Sequence, residues 1–110
     1  MKKRSTTNKK SVVYSIPCGD CEATYIGETK RGVETRIKEH KKKVKDVEID
    51  SSEIANHCYY QQHRMNWGNY KILTQEQHWK KRQFKEAIWS NRNRSFNKRI
   101  EVSGLWNPIL

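Results

Sequence analysis

Three cysteines and two of the histidines give this sequence its clearest metal-binding chemistry. Cys18 and Cys21 form a C-x-x-C pair around a Gly-Asp step that suits a tight turn, so the pair can present two thiolates to one ion. A tetrahedral zinc site needs two further nitrogen or sulfur ligands. His57 and His63 are the best candidates, and Cys58 is the alternative, although a buried apolar thiol is its more ordinary role. Because such a site has no open position for substrate, we expect a structural zinc.

Two charged side chains, Arg36 and Glu86, occupy helical positions from which they could act on a phosphate or a metal. Arg36 follows Val33 by three residues, so it lies at the edge of an apolar stripe, where its guanidinium fork could grip a phosphate. Glu86 is the only acid in a basic segment, and an ion pair with Arg82, four residues earlier, is its simplest explanation. Without further context, Arg36 is likewise an ordinary surface arginine.

The elements that must position these residues follow from the hydrophobic periodicity. They are strands 12–16 and 24–26, a helix over 33–45, a helix that ends near 62, a strand over 70–74 and a helix over 77–91. Asp50 with Glu53 resembles a capping box that opens the second helix. The apolar set of the third helix is Phe84, Ala87 and Ile88. The order β-β-α-α-β-α predicts an α+β fold, with a small antiparallel three-stranded sheet flanked by helices.

The length of 110 residues fits one domain, and we assign it to residues 11–110. Residues 1–10 are basic and polar without periodicity, which predicts a disordered arm. Hydrophobic residues make up 34% of the chain and charged residues 32%, so the apolar core is small for a stable domain. A zinc ion that joins the strand hairpin to the second helix would supply the missing stabilisation.

The net charge of +11 is spread along the chain and favours a polyanionic partner, foremost a nucleic acid. A lysine-rich face that only keeps the domain soluble is the alternative. A membrane is disfavoured, because no apolar run approaches the roughly 18 residues of a membrane span. The basic start is followed by polar residues and the cysteines are few, so we expect an intracellular protein. The short run Lys2-Lys3-Arg4 is compatible with a nuclear address.

The arrangement of tyrosines, charges and glycine over nearly all of residues 12–97 resembles the GIY-YIG nuclease family. The residues that carry this resemblance are Tyr14 at the end of one strand, Tyr25-Ile26-Gly27 in the next, Arg36 and His40 in a helix, and Glu86 in a later helix. The first motif differs, because Val12-Val13-Tyr14 replaces Gly-Ile-Tyr and keeps only the strand former and the tyrosine. Val at the first position is compatible with a strand.

Within that family, the chain is most similar to the endonuclease domain of Penelope-like retroelements. Those domains place a C-x-x-C pair between the two motif strands and two histidines further on, as Cys18, Cys21, His57 and His63 do here. The resemblance implies a metal-dependent DNA endonuclease that hydrolyses phosphodiester bonds for cleavage of retroelement target sites. It also implies a reverse transcriptase in the same polypeptide.

The resemblance implies specific roles for the two motif tyrosines. Tyr14 would lie near the attacking water and act as general base, provided that cations such as Arg36 and Lys30 lower its pKa from about 10. Tyr25 would hydrogen-bond to the water or the phosphate. Arg36 would hold the scissile phosphate and stabilise the charge of the transition state.

Three further residues receive roles by the same resemblance. His40 would assist proton transfer or bind phosphate, and Glu86 would bind one Mg²⁺ or Mn²⁺ ion, which prefer oxygen ligands and retain waters. Asn97 would hydrogen-bond near the site, although a loop asparagine is the simpler reading.

The basic residues assigned to DNA binding are Lys30, Arg31, Lys41, Lys42 and Lys43. The alternative to a nuclease is a non-catalytic zinc-containing module that binds nucleic acid through its charge and its aromatic side chains.

Overall fold

Three antiparallel strands and three helices account for most of residues 8–92, the part of the chain that the computed structural model describes. The strands are β1 Val12–Pro17, β2 Thr24–Thr29 and β3 Lys71–Gln75. The helices are α1 Val33–Lys45, α2 Glu53–Gln61 and α3 Trp79–Arg92, and a short 3₁₀ turn, Trp67–Asn69, precedes β3. The predicted fold class and element order are confirmed. The first helix has the predicted bounds, whereas the other elements differ by one to three residues at their ends.

Strand β1 lies in the middle of the sheet, hydrogen-bonded to β2 on one side and to β3 on the other. Its β-branched residues suit this position, because a central strand is covered on both faces. The register places Tyr14 opposite Gly27 and Ile16 opposite Tyr25. The two motif tyrosines therefore come from neighbouring strands, and the motif glycine lies beside the first of them.

The main core forms where alternate side chains of β1 meet α1 and α2. Its members are buried apolar side chains from these elements and from the segment after α2, namely Val12, Tyr14, Ile16, Cys18, Val33, Ile37, Ile54 and Met65. Tyr14 is part of this core and has no exposed surface. The core therefore fixes the position of a residue that the sequence assigns to chemistry.

The start of α1 is closed by residues that precede β1. Gly32 occupies the N-cap position and has no side chain to offer, so other groups accept hydrogen bonds from the free N–H groups of the first turn. The Asn8 side-chain oxygen accepts from the N–H of Glu34 at 2.9 Å, and the Lys9 carbonyl accepts from the N–H of Val33 at 2.8 Å. These two residues, expected within a disordered arm, are instead bound to the domain.

Helix α2 begins with a different cap from the one predicted. Ser52 has an extended backbone, and its hydroxyl accepts a hydrogen bond from the N–H of Ala55 at 3.1 Å. A serine hydroxyl is as good a cap as a carboxylate, and Ser52 directly precedes the first helical residue. The predicted capping box starting at Asp50 is therefore wrong by two residues.

Helix α3 buries the predicted apolar Ala87 and, beside it, polar side chains that the sequence did not suggest. Arg82, Glu86 and Ser90 are buried at intervals of four residues, whereas Phe84 is 57% exposed. Arg82 donates to Glu28 of β2 at 2.6 Å, so it does not form the intrahelical pair with Glu86 that would have been the simplest account of both residues. The buried face of α3 therefore combines Ala87 with a stripe of polar side chains.

Candidate metal site and active site

The C-x-x-C turn between β1 and β2 is held against the segment that follows α2. The N–H of Gly19 donates to the carbonyl of Arg64 at 2.8 Å, and the N–H of Asn66 donates to the carbonyl of Pro17 at 2.9 Å. The Asp20 carboxylate accepts from the N–H of Arg64 at 2.8 Å. These bonds bring together two parts of the chain that are far apart in sequence: the turn carries Cys18 and Cys21, the segment after α2 carries His63, and α2 itself carries His57.

The four predicted ligand atoms of Cys18, Cys21, His57 and His63 all lie within 4.8 Å of one another. Cys18 Sγ is 3.4 Å from His57 Nε2 and 3.5 Å from His63 Nδ1. Cys21 Sγ is 3.7 Å from His57 Nε2, and the two histidine nitrogens are 3.3 Å apart.

These spacings can be compared with those of a zinc tetrahedron. Bond lengths of about 2.3 Å to sulfur and 2.0 Å to nitrogen place two nitrogens roughly 3.3 Å apart and sulfur roughly 3.5 Å from nitrogen. The four separations given above agree with these values to a few tenths of an ångström. The cluster could therefore hold a metal ion such as zinc.

Backbone amides support the two thiols of this cluster. The N–H of Asp20 donates to Cys18 Sγ, and the N–H of Ala23 donates to Cys21 Sγ, each at 3.4 Å. Such bonds stabilise negative charge on sulfur, which a metal ligand requires. Cys58 lies outside the cluster and packs against the core, where burial raises the pKa of its thiol. Among the described residues, the histidines therefore fit the ligand set better than Cys58.

The candidate active site is built around a hydrogen bond between Tyr14 of β1 and His40 of α1. Tyr14 Oη lies 2.8 Å from His40 Nε2, and both side chains are buried. The Tyr25 ring of β2 stands edge-on to the His40 ring, with centroids 5.1 Å apart, and 6.3 Å from the Tyr14 ring. The three predicted aromatic residues thus form one cluster.

The absence of a side chain at Gly27 leaves space for the Tyr14 ring. A Cβ at position 27 would lie 2.6 Å from Tyr14 Oη and 2.8 Å from an edge carbon of Tyr25. Carbon atoms do not approach that closely without a shift of their neighbours. The glycine of the Tyr25-Ile26-Gly27 motif is therefore required by the packing of both motif tyrosines.

The acidity of Tyr14 differs from the sequence-based expectation. Burial raises the pKa of Tyr14 well above its ordinary value of 10, and the neighbouring Tyr25 and Glu86 raise it further. Arg36 acts in the opposite direction but does not outweigh burial. In the free protein Tyr14 is a neutral phenol, so the lowered pKa that a general base would need is not found.

His40 is also neutral in the free protein. Burial, together with the charge of Arg36, lowers the pKa of His40 from 6.5 to about 3. Its second ring nitrogen, Nδ1, is buried and has no hydrogen-bond partner among residues 8–92. Tyr14 and His40 therefore form an uncharged pair that shares one hydrogen bond.

Arg36 is half-buried at the edge of this cluster, and its orientation is set by Glu39. Arg36 donates to Glu39 at 3.0 Å, while Arg31 contacts both Glu39 oxygens at 2.6 Å. Arg31, followed by Arg36, holds the pKa of Glu39 at about 2. Burial opposes the charge on Arg36, but Tyr14 and Glu39 raise its pKa above the ordinary value. Glu39 was not among the predicted site residues, although its spacing of three from Arg36 permits this pair.

Glu86 is the only acidic residue that is buried among those the structure describes, with 6% of its surface exposed. It acts electrostatically on Tyr14, which places its carboxylate near the same cluster. Its helix is fixed to β2 by the Arg82 ion pair with Glu28. The other predicted site residue of this part of the chain, Asn97, lies outside the described residues.

The basic residues predicted to bind DNA are distributed around α1. Lys30, Arg31, Lys41 and Lys42 are exposed, whereas Lys43 is half-buried. Several already have partners in the free protein: Lys42 pairs with Asp46 at 2.7 Å, and Lys41 lies 5.9 Å above the Trp67 ring. These contacts are on the surface and leave most of the positive charge accessible to solvent.

Comparisons with models of known protein families, with curated proteins and with solved structures found no match to this chain. Within residues 8–92, no helix has the length and apolar character that crossing a membrane would demand.

Proposed function

We propose that this chain is a metal-dependent DNA endonuclease of the GIY-YIG class, which hydrolyses phosphodiester bonds. The observation that supports it most is the convergence of Tyr14, Tyr25, Arg36, His40 and Glu86, which come from β1, β2, α1 and α3. Packing alone gives no reason to place a guanidinium, an imidazole, a carboxylate and two phenols together. Each of these groups can serve phosphodiester hydrolysis, in which a phosphate must be held and a proton moved.

Arg36 is the residue proposed to bind the scissile phosphate. Its guanidinium lies against Tyr14 and is held by Glu39, so it is oriented before a substrate arrives. A fixed cation stabilises the negative charge that grows on the phosphate oxygens as the bond breaks.

Tyr14 and His40 are proposed to handle the proton of the attacking water as one hydrogen-bonded unit. Both are neutral in the free protein, so Tyr14 loses its own proton only when the charges around it change. Tyr25, half-buried beside His40, is proposed to hydrogen-bond to the water or the phosphate.

Glu86 is proposed to hold one hard divalent cation, Mg²⁺ or Mn²⁺. One buried carboxylate completed by waters and substrate oxygens is a donor set that such ions accept. When bound, the ion would neutralise charge on the phosphate and the leaving oxygen.

The ion in the Cys18, Cys21, His57 and His63 cluster is proposed to be a structural zinc, because four protein ligands leave no position for a substrate. The biological setting proposed for the nuclease is cleavage of a retroelement target site in the nucleus, by a polypeptide that also carries a reverse transcriptase.

Nicking of supercoiled plasmid in the presence of Mg²⁺ or Mn²⁺ tests the proposal. The wild-type chain should convert the plasmid to the open circle, and Glu86→Gln should lose this activity by a factor of about 100 or more, because a metal ligand is removed. Glu48→Gln is the matched control, since it removes the same charge from an exposed position. Equal rates for the wild type and Glu86→Gln would refute the assignment.

A second candidate function is a non-catalytic module that binds nucleic acid. The exposed Tyr59 and Tyr60 favour it, because exposed rings can stack on bases. Tight binding of DNA without nicking, for any divalent metal tested, would support this candidate over the nuclease.

A further inference from the structure

A cleft of about 680 Å³ opens between α1, the connector that follows it, and α2. Tyr25, Arg36 and His40 of the candidate active site form part of its lining. Its size is within the range of about 300–1,000 Å³ that small-molecule pockets have. A substrate whose phosphate reaches Arg36 would therefore have an adjoining space for the next part of the molecule.

The two walls of this cleft differ in chemistry. The α1 wall supplies the cations Arg36 and Lys43 together with the imidazole of His40. The other wall supplies carboxylates, amides and a phenol, namely Asp50, Glu53, Asn56, Gln61 and Tyr60. Carboxylates repel a phosphate but accept hydrogen bonds from the amino groups of bases, as amides also do. The cleft is thus polarised in the same sense as a nucleotide, with a phosphate side and a base side.

Tyr60 is the residue on the second wall whose ring could stack on a base. It is 61% exposed, although a large aromatic ring on α2 could have been buried against the core. The ring of Tyr59 stands edge-on to it, with centroids 5.0 Å apart and an interplanar angle of 83°. This contact restrains the Tyr60 ring and leaves a face free of Tyr59, and a restrained, exposed ring is a suitable stacking surface.

His40 provides an independent sign that this cleft takes a ligand. It lines the cleft, it is 4% exposed, and its Nδ1 atom has no partner among the described residues. A buried polar atom without a partner is costly in a folded protein and is often completed by water or a ligand.

We propose that the cleft between α1 and α2 binds the nucleotide next to the scissile phosphate, with the base stacked on Tyr60. The inference rests on the proposed nuclease function, and it adds a subsite for one unpaired base of DNA. Asn56 and Gln61 then contact the edge of the base, while Arg36 and Lys43 contact its phosphates. A base can enter only if it leaves the duplex, so the subsite favours single-stranded or locally opened DNA.

Binding of a short fluorescein-labelled single-stranded oligodeoxynucleotide tests this subsite, with Glu86→Gln as the background so that no cleavage interferes. In this background Tyr60→Ala should weaken binding about tenfold or more, which is the usual cost of losing one base-stacking ring, whereas Tyr60→Phe should retain it. Phe84→Ala is the matched control, because Phe84 is a 57% exposed aromatic residue that does not line the cleft. It should leave binding nearly unchanged.

Photocrosslinking with 5-iodouracil in the same oligonucleotide identifies the contacting residue, and the crosslinked peptide should contain Tyr60. Equal losses for Tyr60→Ala and Phe84→Ala, or a crosslink confined to α3, would overturn the subsite. Neither readout depends on cleavage, so absence of plasmid nicking refutes the nuclease proposal separately. Nicking by the wild type with normal oligonucleotide binding by Tyr60→Ala refutes only the subsite.

Discussion

Tyr14 and His40 are adjacent, and burial acts on both in the direction that removes charge. The Tyr14 phenol keeps its proton because its pKa is raised, and the His40 imidazole stays neutral because its pKa is lowered to about 3. An uncharged pair needs no counter-ion, which explains how these groups fit inside the core beside the half-buried Arg36. The same burial gives His40 a measurable effect on stability.

The free energy of unfolding should depend on pH through His40. Its folded pKa of about 3 is below the ordinary value of 6.5, so the unfolded chain binds the proton more readily. The stabilisation that the neutral His40 provides is intact above about pH 6.5 and declines as the pH falls toward about 3. Over that range the free energy of unfolding should fall with a slope approaching 1.4 kcal/mol per pH unit. Urea unfolding of the wild type and His40→Gln across this range measures it.

The difference in free energy of unfolding between the wild type and His40→Gln should shrink as the pH falls. The reason is that only the wild type loses the stabilisation of a buried neutral imidazole. Acid effects on the metal cluster are common to both proteins and cancel in the difference. His78→Gln alters an exposed histidine directly before α3. Its free energy of unfolding should keep a constant difference from that of the wild type across this pH range. If the free energies of unfolding of the wild type and His40→Gln differed by the same amount at every pH, His40 would not be a buried neutral imidazole.

Gly27 can be tested by adding a single methyl group. Gly27→Ala should destabilise the fold by about 1–3 kcal/mol, because its Cβ would overlap the phenol end of Tyr14 and the edge of Tyr25. Plasmid nicking should fall further than stability explains, since the displaced ring carries the hydrogen bond to His40. Gly68→Ala is the matched control, as a Cβ there meets no atom within 4 Å. Similar unfolding curves for both variants would refute the packing argument.

At the scale of elements, helix α3 shows where sequence-based prediction succeeds and where it stops. Its existence follows from helix formers without Gly or Pro, and its bounds are near those predicted. Ala87 of the predicted apolar set is buried, but the polar part of the buried face, Arg82, Glu86 and Ser90, was not predicted, because periodicity arguments follow apolar residues. Within this stripe, Arg82 pairs with Glu28, which lies 54 positions away. Such a long-range pair leaves no local signal in the sequence.

The candidate metal site differs from α3, because its ligands and its turn could be predicted from residue types and short spacings in the sequence. The C-x-x-C spacing predicted Cys18 and Cys21 as ligands, and His57 and His63 were the best candidates for the other two positions, with Cys58 as the alternative; the structure brings the first four together. The cleft between α1 and α2 could not be predicted, since it depends on how two helices pack. Ser52 was missed because Asp50 offered the same local signal two residues earlier.

The Arg82 ion pair with Glu28 is expected to fix α3 against β2. Arg82 is 2% exposed, and its guanidinium also donates to the carbonyls of Glu76 and Gln77 at 3.1 Å and 3.3 Å. Arg82→Met should therefore lower the free energy of unfolding by about 3 kcal/mol, because it leaves the Glu28 carboxylate and two carbonyls without a donor. Chemical denaturation measures the change.

Lys42→Met serves as the comparison for Arg82→Met, because it breaks an exposed pair with Asp46 within one helix. Its effect on unfolding should be too small to resolve, since exposed pairs are well solvated. Equal effects of the two substitutions would show that the buried pair does not hold α3 in place. A large loss of nicking in Arg82→Met under conditions where it is folded would indicate that Glu86 has shifted.

At the scale of the whole molecule, the candidate metal site and the candidate active site share structural elements. The thiols lie in the turn between β1 and β2, the strands that carry Tyr14 and Tyr25, while His57 lies on α2 and lines the cleft. An ion bound there would fix the turn and the cleft wall relative to each other. Removal of the ion is therefore expected to affect both stability and DNA binding.

Cys18→Ser should reduce bound zinc from about one ion per chain to a small fraction, because a hydroxyl is a poor substitute for a thiolate. The melting temperature should fall, and a chelator should lower that of the wild type but have little further effect on the variant. Cys58→Ser is the control, since it removes a thiol that lies outside the cluster. It should retain the zinc and its chelator sensitivity. Plasma emission spectrometry and thermal melts measure both quantities, and full zinc content in Cys18→Ser would exclude this cluster as the site.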